Sequence, residues 1–268
     1  MRTKWKQFAH LCQVAFKTWL FQICWIGTCA VSMLHATTVL ISGHKLQDLT
    51  PTGFVFCATA FVYGYAAKGA AKRIAWAMAL CSVFFFFGLE HAQQAVAALA
   101  ALVWAAYHGL PGLGVGLRRY AVAKPVSIAL VWAVATVLLP LPAGEWLPGG
   151  FLFIGRTAFV FALALAYDLC DLQHDRRHGL ATLVQQLGPR RSFRVIDAAL
   201  LLAAGCAFVN YNIGFFGTGT LAAIWISLAI TAWAVRVAPE RAEWGVWRKT
   251  TVDGLMILQA MLVTLSVK

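Results

Sequence analysis

The segment Tyr167-Asp168-Leu169-Cys170-Asp171-Leu172-Gln173-His174-Asp175 closes a long apolar run and gathers three of the ten carboxylates in the chain. Asp168, Asp171 and Asp175 are spaced i, i+3, i+7, so a helix sets all three on one face. Like charges that close repel unless a cation holds them together. Three convergent carboxylates at a helix end suit Mg2+, which takes a few carboxylate oxygens and shares the rest of its shell with phosphate and water. The plainer alternative is a solvated acidic turn capping a membrane helix. A chain this poor in acids has little reason to cluster them. Cys170 falls on a different helical face. His174 and His178 flank the last aspartate, as proton carriers or as solvated loop histidines.

Cationic clusters form the second set of candidates. Lys68 and Lys72 are i, i+4 with Arg73 beside them. They suit a direct clamp on a phosphate, and equally a basic membrane flank or ion pairs to Asp168, Asp171 or Asp175. Arg118, Arg119 and Lys124 end a glycine-rich stretch, 108–124. The arginine fork matches phosphate oxygens, and a loop touching lipid headgroups needs the same residues. Arg156 is expected to snorkel toward an interface. Asp253, at the start of the last apolar run, is expected to cap a helix.

These residues must be positioned by membrane helices. Of 268 residues, 61% are hydrophobic and 12% charged, and the mean hydropathy is +0.73. Runs of about 20 apolar residues in such a chain mean membrane spans. Apolar stretches fall near 18–41, 53–67, 74–89, 92–107, 125–141, 150–167, 195–213, 216–235 and 252–267. Backbone groups in lipid must be satisfied internally, so the nine runs are read as helices, and the period-2 alternation of a membrane barrel is absent. The basic start (Arg2, Lys4, Lys6) precedes an apolar run too long for a signal peptide, and the run is read as a retained span. With nine spans and a cytoplasmic N-terminus, 19 of the 22 Lys and Arg fall on the inner side, leaving Lys45, Arg156 and Lys268. That bias predicts a C-terminus outside and the long loops 108–124 and 168–194 in the cytoplasm. The net charge of +12 then requires no nucleic-acid partner; it reflects orientation and attraction to anionic lipid headgroups or an anionic substrate. Seven scattered cysteines lack any metal spacing and are read as small buried thiols.

With these residues in place, the chain resembles the UbiA superfamily of intramembrane prenyltransferases over nearly its whole length, as one all-α, membrane-embedded domain, 1–268, with nine transmembrane helices in a UbiA-like bundle. The resemblance rests on the nine-run layout with long inner loops. It rests also on YDLCDLQHDRRHGLATLVQQLGPRRS, similar to that family's second aspartate motif DxxDxxxD, on LRRYAVAKPVSIALVWAVATVLLP after the first long loop, and on Asp253-Gly254. It implies loss of pyrophosphate from an isoprenyl diphosphate, with Mg2+ bridging aspartates to the diphosphate and a lipophilic acceptor attacking the allylic cation. On that basis Asp168, Asp171 and Asp175 would be catalytic and metal-binding, and Lys68, Lys72, Arg118, Arg119 and Lys124 would bind substrate. Metal and Arg/Lys would neutralise the leaving charge, and a hydrophobic tunnel would hold the prenyl tail. The run Phe84–Phe87 suits such a tunnel, or ordinary packing against lipid.

One departure is plain. The family's first motif, NDxxDxxxD, belongs at the end of the second run, where this chain reads Tyr63-Gly64-Tyr65-Ala66-Ala67-Lys68-Gly69-Ala70-Ala71-Lys72-Arg73. Gly64 stands at the asparagine, Tyr65 at the first aspartate, and Lys68 and Lys72 at the other two. Two further readings therefore stand beside transfer to an acceptor: a terpene cyclase of the same fold, and a protein that binds an isoprenoid or lipid diphosphate without turning it over. An unrelated transporter lacks support, because paired intramembrane charges and repeat-related broken helices are missing. A CDP-alcohol phosphotransferase would need an Asp-Gly pair running through Ala-Arg to two more aspartates, which does not follow Asp171.

Overall fold

The computed structural model describes residues 2–43, 48–65, 69–109, 116–142, 146–177, 182–237 and 245–267, with backbone alone for 2–18, 118, 146, 174 and 245–249. Lys45, Lys68 and His178 lie outside the described residues, as do the side chains of Arg118 and His174. Every described element is helical, as the hydropathy required. In chain order these are α1 (Arg2–Ser42), α2 (Leu49–Gly64), α3 (Ala70–Phe87), α4 (His91–His108) and α5 (Ala123–Ala133), which runs into a π-helical turn at Val134–Leu138. Then come α6 (Trp146–Cys170), the short α7 (Leu172–Arg177) and α8 (Leu183–Leu187), α9 (Pro189–Asn212), α10 (Thr218–Val237) and α11 (Gly245–Ser266). The nine apolar runs fall on α1 to α6 and α9 to α11. Five segments of these helices, Trp19–Ser42, Ala70–Phe87, Leu147–Cys170, Pro189–Asn212 and Thr218–Val237, are long and apolar enough to cross a membrane by themselves, and three further apolar helices are shorter.

Local chemistry sets the helix starts. Asp48 caps α2, its Oδ1 accepting from the Thr50 N–H at 2.8 Å. Glu90 and Gln93 form a reciprocal capping box on α4. Gly188, at φ +72°, turns the chain into α9, where Pro189 takes the first position, one that needs no N–H.

Helix α6 is the central post. It packs most extensively on α9, where Gly155 lets the helices close until a Cβ there would stand 3.2 Å from Cys206 Cβ. Its other neighbours are α5 and α11, and α11 in turn lies along α1. Buried Phe159, Leu165, Met33, Leu34, Val137, Ile196 and Val252 fill the space between them. At one end of the bundle Arg236 of α10 donates from Nη2 to both carboxylate oxygens of Asp197 on α9, each at 2.7 Å, and lies 6.0 Å from the Phe193 ring centroid. Outside the core, α3 turns most of its apolar surface outward: Leu80, Phe84 and Phe87 are exposed, as lipid-facing residues of a membrane helix must be.

Arg156 departs from expectation. It does not reach an interface but is 6% exposed among α1, α6 and α9, because its neighbours offer it the Met33 carbonyl and the Thr37 hydroxyl, each at 3.4 Å. Asp253 departs too. Helix α11 begins at Gly245, so Asp253 sits more than two turns inside it and caps nothing.

Candidate functional site

The aspartate motif spans a break in the helix. Helix α6 ends at Cys170 and α7 starts at Leu172, yet Asp171 N–H still bonds Tyr167 O at 3.1 Å, and Asp175 N–H bonds Asp171 O at 2.9 Å. The i to i+4 pattern therefore survives the break and keeps all three carboxylates on one side. They line a single chamber of about 260 Å³ with Lys124, Tyr167 and Asp253. Its other walls come from α1 (Trp19, Gln22, Trp25), from Tyr63 of α2 and from Ile128 and Trp132 of α5.

Lys124, in the first turn of α5, reaches across to place Nζ 2.7 Å from Asp168 Oδ1. Asp168 and Asp175 are 4% and 6% exposed, and neither Oδ2 has a hydrogen-bond partner among the described residues. Two buried, unsatisfied carboxylate oxygens are costly unless something fills them. Among the described residues no three acidic, His or Cys side chains sit close enough to enclose an ion by themselves. That donor set fits Mg2+ in its usual phosphate-site form, held by one or two carboxylates with water and ligand phosphate completing the shell.

A second cavity, about 600 Å³, lies beside the first among α2, α3, α4, α5 and the π-turn. It is overwhelmingly apolar, with Phe54, Val55, Phe86, Val131 and a row of alanines (Ala97, Ala98, Ala100, Ala101) on its walls. The π-turn contributes Ala135 and Thr136; such insertions re-aim side chains and recur at functional sites. The two cavities share Tyr63, Ile128 and Trp132. At that junction Trp132 Nε1–H points at Tyr63 Oη, 3.4 Å away. One wall of the apolar cavity is an aromatic cluster. Trp104 packs on Phe61, Tyr65 and His108 at centroid separations of 5.8, 5.6 and 4.8 Å.

Of the residues expected from the sequence, Asp168, Asp171, Asp175 and Lys124 come together. Lys72 and Arg119 are exposed and do not line this chamber. Of the phenylalanine run, Phe86 lines the apolar cavity, Phe85 packs over Gly53, and Phe84 and Phe87 face outward. Three participants escaped sequence reasoning: Asp253, Tyr63 and Tyr167. Asp253 carried a usable signal, being the sole carboxylate in the last apolar helix, where an ionisable group is expensive.

The altered first motif has a structural counterpart. A Cβ on Gly64 would meet Ile23 Cδ1 at 2.8 Å, Ala75 Cβ at 2.9 Å and Trp19 Cζ2 at 3.0 Å. The space an asparagine would need is already occupied by α1 and α3.

Comparison with known proteins agrees with this architecture. No family model matches the sequence. Glycinol 4-dimethylallyltransferase from Glycine max is 29% identical over 98 residues, 33% of this chain and 24% of that enzyme, so the chain matches about a quarter of its relative's length. Among solved structures, a digeranylgeranylglyceryl phosphate synthase superposes with TM-score 0.64 at 14% identity, covering 94% of this chain and 98% of that one. A UbiA homolog from Aeropyrum pernix K1, determined without ligand, superposes with TM-score 0.57 at 16% identity, covering 90% and 97%. An all-helical bundle, matched along nearly its full length and carrying an acidic chamber beside an apolar one, has the fold of the UbiA-type intramembrane prenyltransferases.

Proposed function

We propose that this protein is a membrane prenyltransferase that binds an isoprenyl diphosphate with its head in the acidic chamber and its tail in the apolar cavity, and transfers the prenyl group to a lipophilic acceptor. The observation that carries the reading is the meeting of the two cavities at Tyr63, Ile128 and Trp132. An amphiphile with a charged head and an isoprenoid tail matches that pair in polarity, and its first tail carbon would lie at the junction. The named relatives support the reaction class: one is a dimethylallyltransferase and another a digeranylgeranylglyceryl phosphate synthase.

In this reading Asp168, Asp171 and Asp175 hold Mg2+, which when bound would neutralise charge gathering on the departing pyrophosphate. Lys124 supplies a fixed ammonium from the opposite wall, leaving Asp168 for a phosphate oxygen. Lys68, Lys72, Arg118 and Arg119 would add positive charge that draws in the anionic ligand. The bond between the first prenyl carbon and the bridging oxygen breaks, and its electron pair leaves with the pyrophosphate. The acceptor's electron pair closes on that carbon as the acceptor gives up a proton. Rings at the junction, Tyr63 and Trp132, would stabilise the allylic cation between these events.

A second reading, a binder that does not turn its ligand over, is favoured by one observation: the end of α2 offers Gly64 and Tyr65 where the UbiA-type first motif has its asparagine and first aspartate. Pyrophosphate release by the purified protein, with a series of prenyl diphosphates and with or without Mg2+, separates the two. Mg2+-dependent release supports transfer or cyclisation, and identification of the prenylated or cyclised product distinguishes those. Tight binding with no release supports the binder. In the same assay Lys68→Ala should weaken diphosphate binding if Lys68 is a clamp; unchanged or tighter binding would assign Lys68 to neutralising the aspartates.

A further inference from the structure

Away from the acidic chamber, the bundle buries a charge that has no counterion among the described residues. Arg156 lies nine residues into the Leu147–Cys170 span and is 6% exposed. Its two contacts, the Met33 carbonyl and the Thr37 hydroxyl, are neutral and long at 3.4 Å each, and the Thr37 hydroxyl also donates to the Met33 carbonyl at 3.1 Å. A guanidinium carries five N–H donors and does not shed its proton in proteins.

Among the described residues no carboxylate is placed to balance it. The elements around it are α1, α6, α9, α10 and α11. Helices α1 and α10 contain no acidic residue. The one acid of α6, Asp168, is twelve residues away, about 18 Å along the helix axis, and is engaged by Lys124. The one acid of α9, Asp197, is bound by Arg236. The one acid of α11, Asp253, faces the other chamber with Asp168.

Beside Arg156 lies a small separate cavity, about 40 Å³, bounded by Asn210, Gln259 and apolar side chains that include Phe159 and Leu228. Asn210 is 1% exposed and its Oδ1 has no hydrogen-bond partner among the described residues. Carboxamide oxygen and nitrogen are interchangeable in shape, so the same side chain turned over presents an N–H2 to the cavity. Gln259 is held by its own bond, Nε2 donating to Ser227 Oγ at 3.1 Å. The space is large enough for a halide-sized ion. Water alone could satisfy donors here but would leave the charge in a low-dielectric interior uncompensated.

We propose that this cavity is a structural anion site, taking one chloride-sized monovalent anion paired to Arg156 and hydrogen-bonded by the Asn210 amide. The ion ties α1, α6 and α9 together and makes the stability of the bundle depend on halide. The site is independent of the prenyl diphosphate reading.

The test compares thermal unfolding of the full chain in detergent in sodium chloride and in sodium gluconate at equal ionic strength. Binding to the folded state alone should raise the midpoint in chloride by about 5 °C or more when chloride stands near 100 times its dissociation constant. Arg156→Met should abolish the difference, and the milder Asn210→Leu should reduce it. Crystals of the unmutated protein grown in bromide supply a readout that does not depend on either variant folding. An anomalous peak beside the Arg156 guanidinium establishes the site. Equal midpoints in the two salts, or an ordered water with no anomalous signal in the cavity, would overturn the proposal.

Discussion

Lys124 Nζ stands 2.7 Å from Asp168 Oδ1, and this pair joins the start of α5 to the end of α6 in the wall of the acidic chamber. The lysine is about a quarter exposed and the aspartate almost wholly buried, so the contact is a partly desolvated ion pair. Such pairs matter less for what they add than for what their loss exposes.

Lys124→Met should therefore destabilise the protein in the absence of metal, because Asp168 is left buried and unpaired. Breaking fully buried pairs costs about 3–5 kcal/mol, and partial exposure of Lys124 places this case at or below the lower end. Mg2+ should restore part of the loss, since the freed carboxylate gains a cation. Unfolding midpoints with and without Mg2+ check both. A variant as stable as the parent without metal would show that the pair carries no structural weight. If Lys124 also meets the diphosphate, binding of the ligand should fall by about 1.5–3 kcal/mol, roughly ten- to a hundredfold.

Placing at Gly64 the asparagine of the UbiA-type first motif should fail. Gly64→Asn drives a side chain into Ile23, Ala75 and Trp19, where even a Cβ would stand 2.8–3.0 Å from its neighbours. Overpacking of this kind costs about 1–3 kcal/mol. A lowered unfolding midpoint is the expected outcome; unchanged stability would mean that α1 and α3 can separate at little cost.

Ala135→Phe should shorten the tail that the apolar cavity accepts. Ala135 faces that cavity from the π-turn. At about 0.8 kcal/mol per buried methylene, expelling one five-carbon unit costs up to about 4 kcal/mol. Affinity for long prenyl diphosphates should fall steeply while inorganic pyrophosphate binds as before. Equal losses for both ligands would place the tail elsewhere.

The 19 of 22 basic residues assigned to one side of nine spans predict which face of the membrane the acidic chamber opens toward. Gln186 is exposed on α8, close in sequence to the aspartate motif. A cysteine there, in a background lacking the native thiols, should react with an impermeant maleimide from the cytoplasmic side alone. Labelling from outside would invert the topology.

Much of the fold was legible in the chain as written. Apolar runs in lipid have one way to satisfy their backbone, so helices were dictated by hydropathy, and the same runs lie on α1 to α6 and α9 to α11. The grouping of Asp168, Asp171 and Asp175 followed from local spacing, because hydrogen bonds four residues apart hold across the break at Asp171. Composition and spacing act along the chain, and what depends on them alone could be read there.

Partnership between distant helices could not. Sequence spacing offered Lys72, Arg119 and Lys124 alike, and of these three described side chains packing brings Lys124 to the site, where the first turn of α5 meets Asp168. Asp253 resembled a helix cap until α11 proved to begin at Gly245 and to run beside α1, turning that carboxylate into the chamber. Arg156 had the look of a snorkelling residue near a helix end, yet α1, α6 and α9 close around it. The physical reason is common to all three. A side chain's hydropathy states the cost of burying it, while the neighbours that offset that cost are set by which helix faces meet.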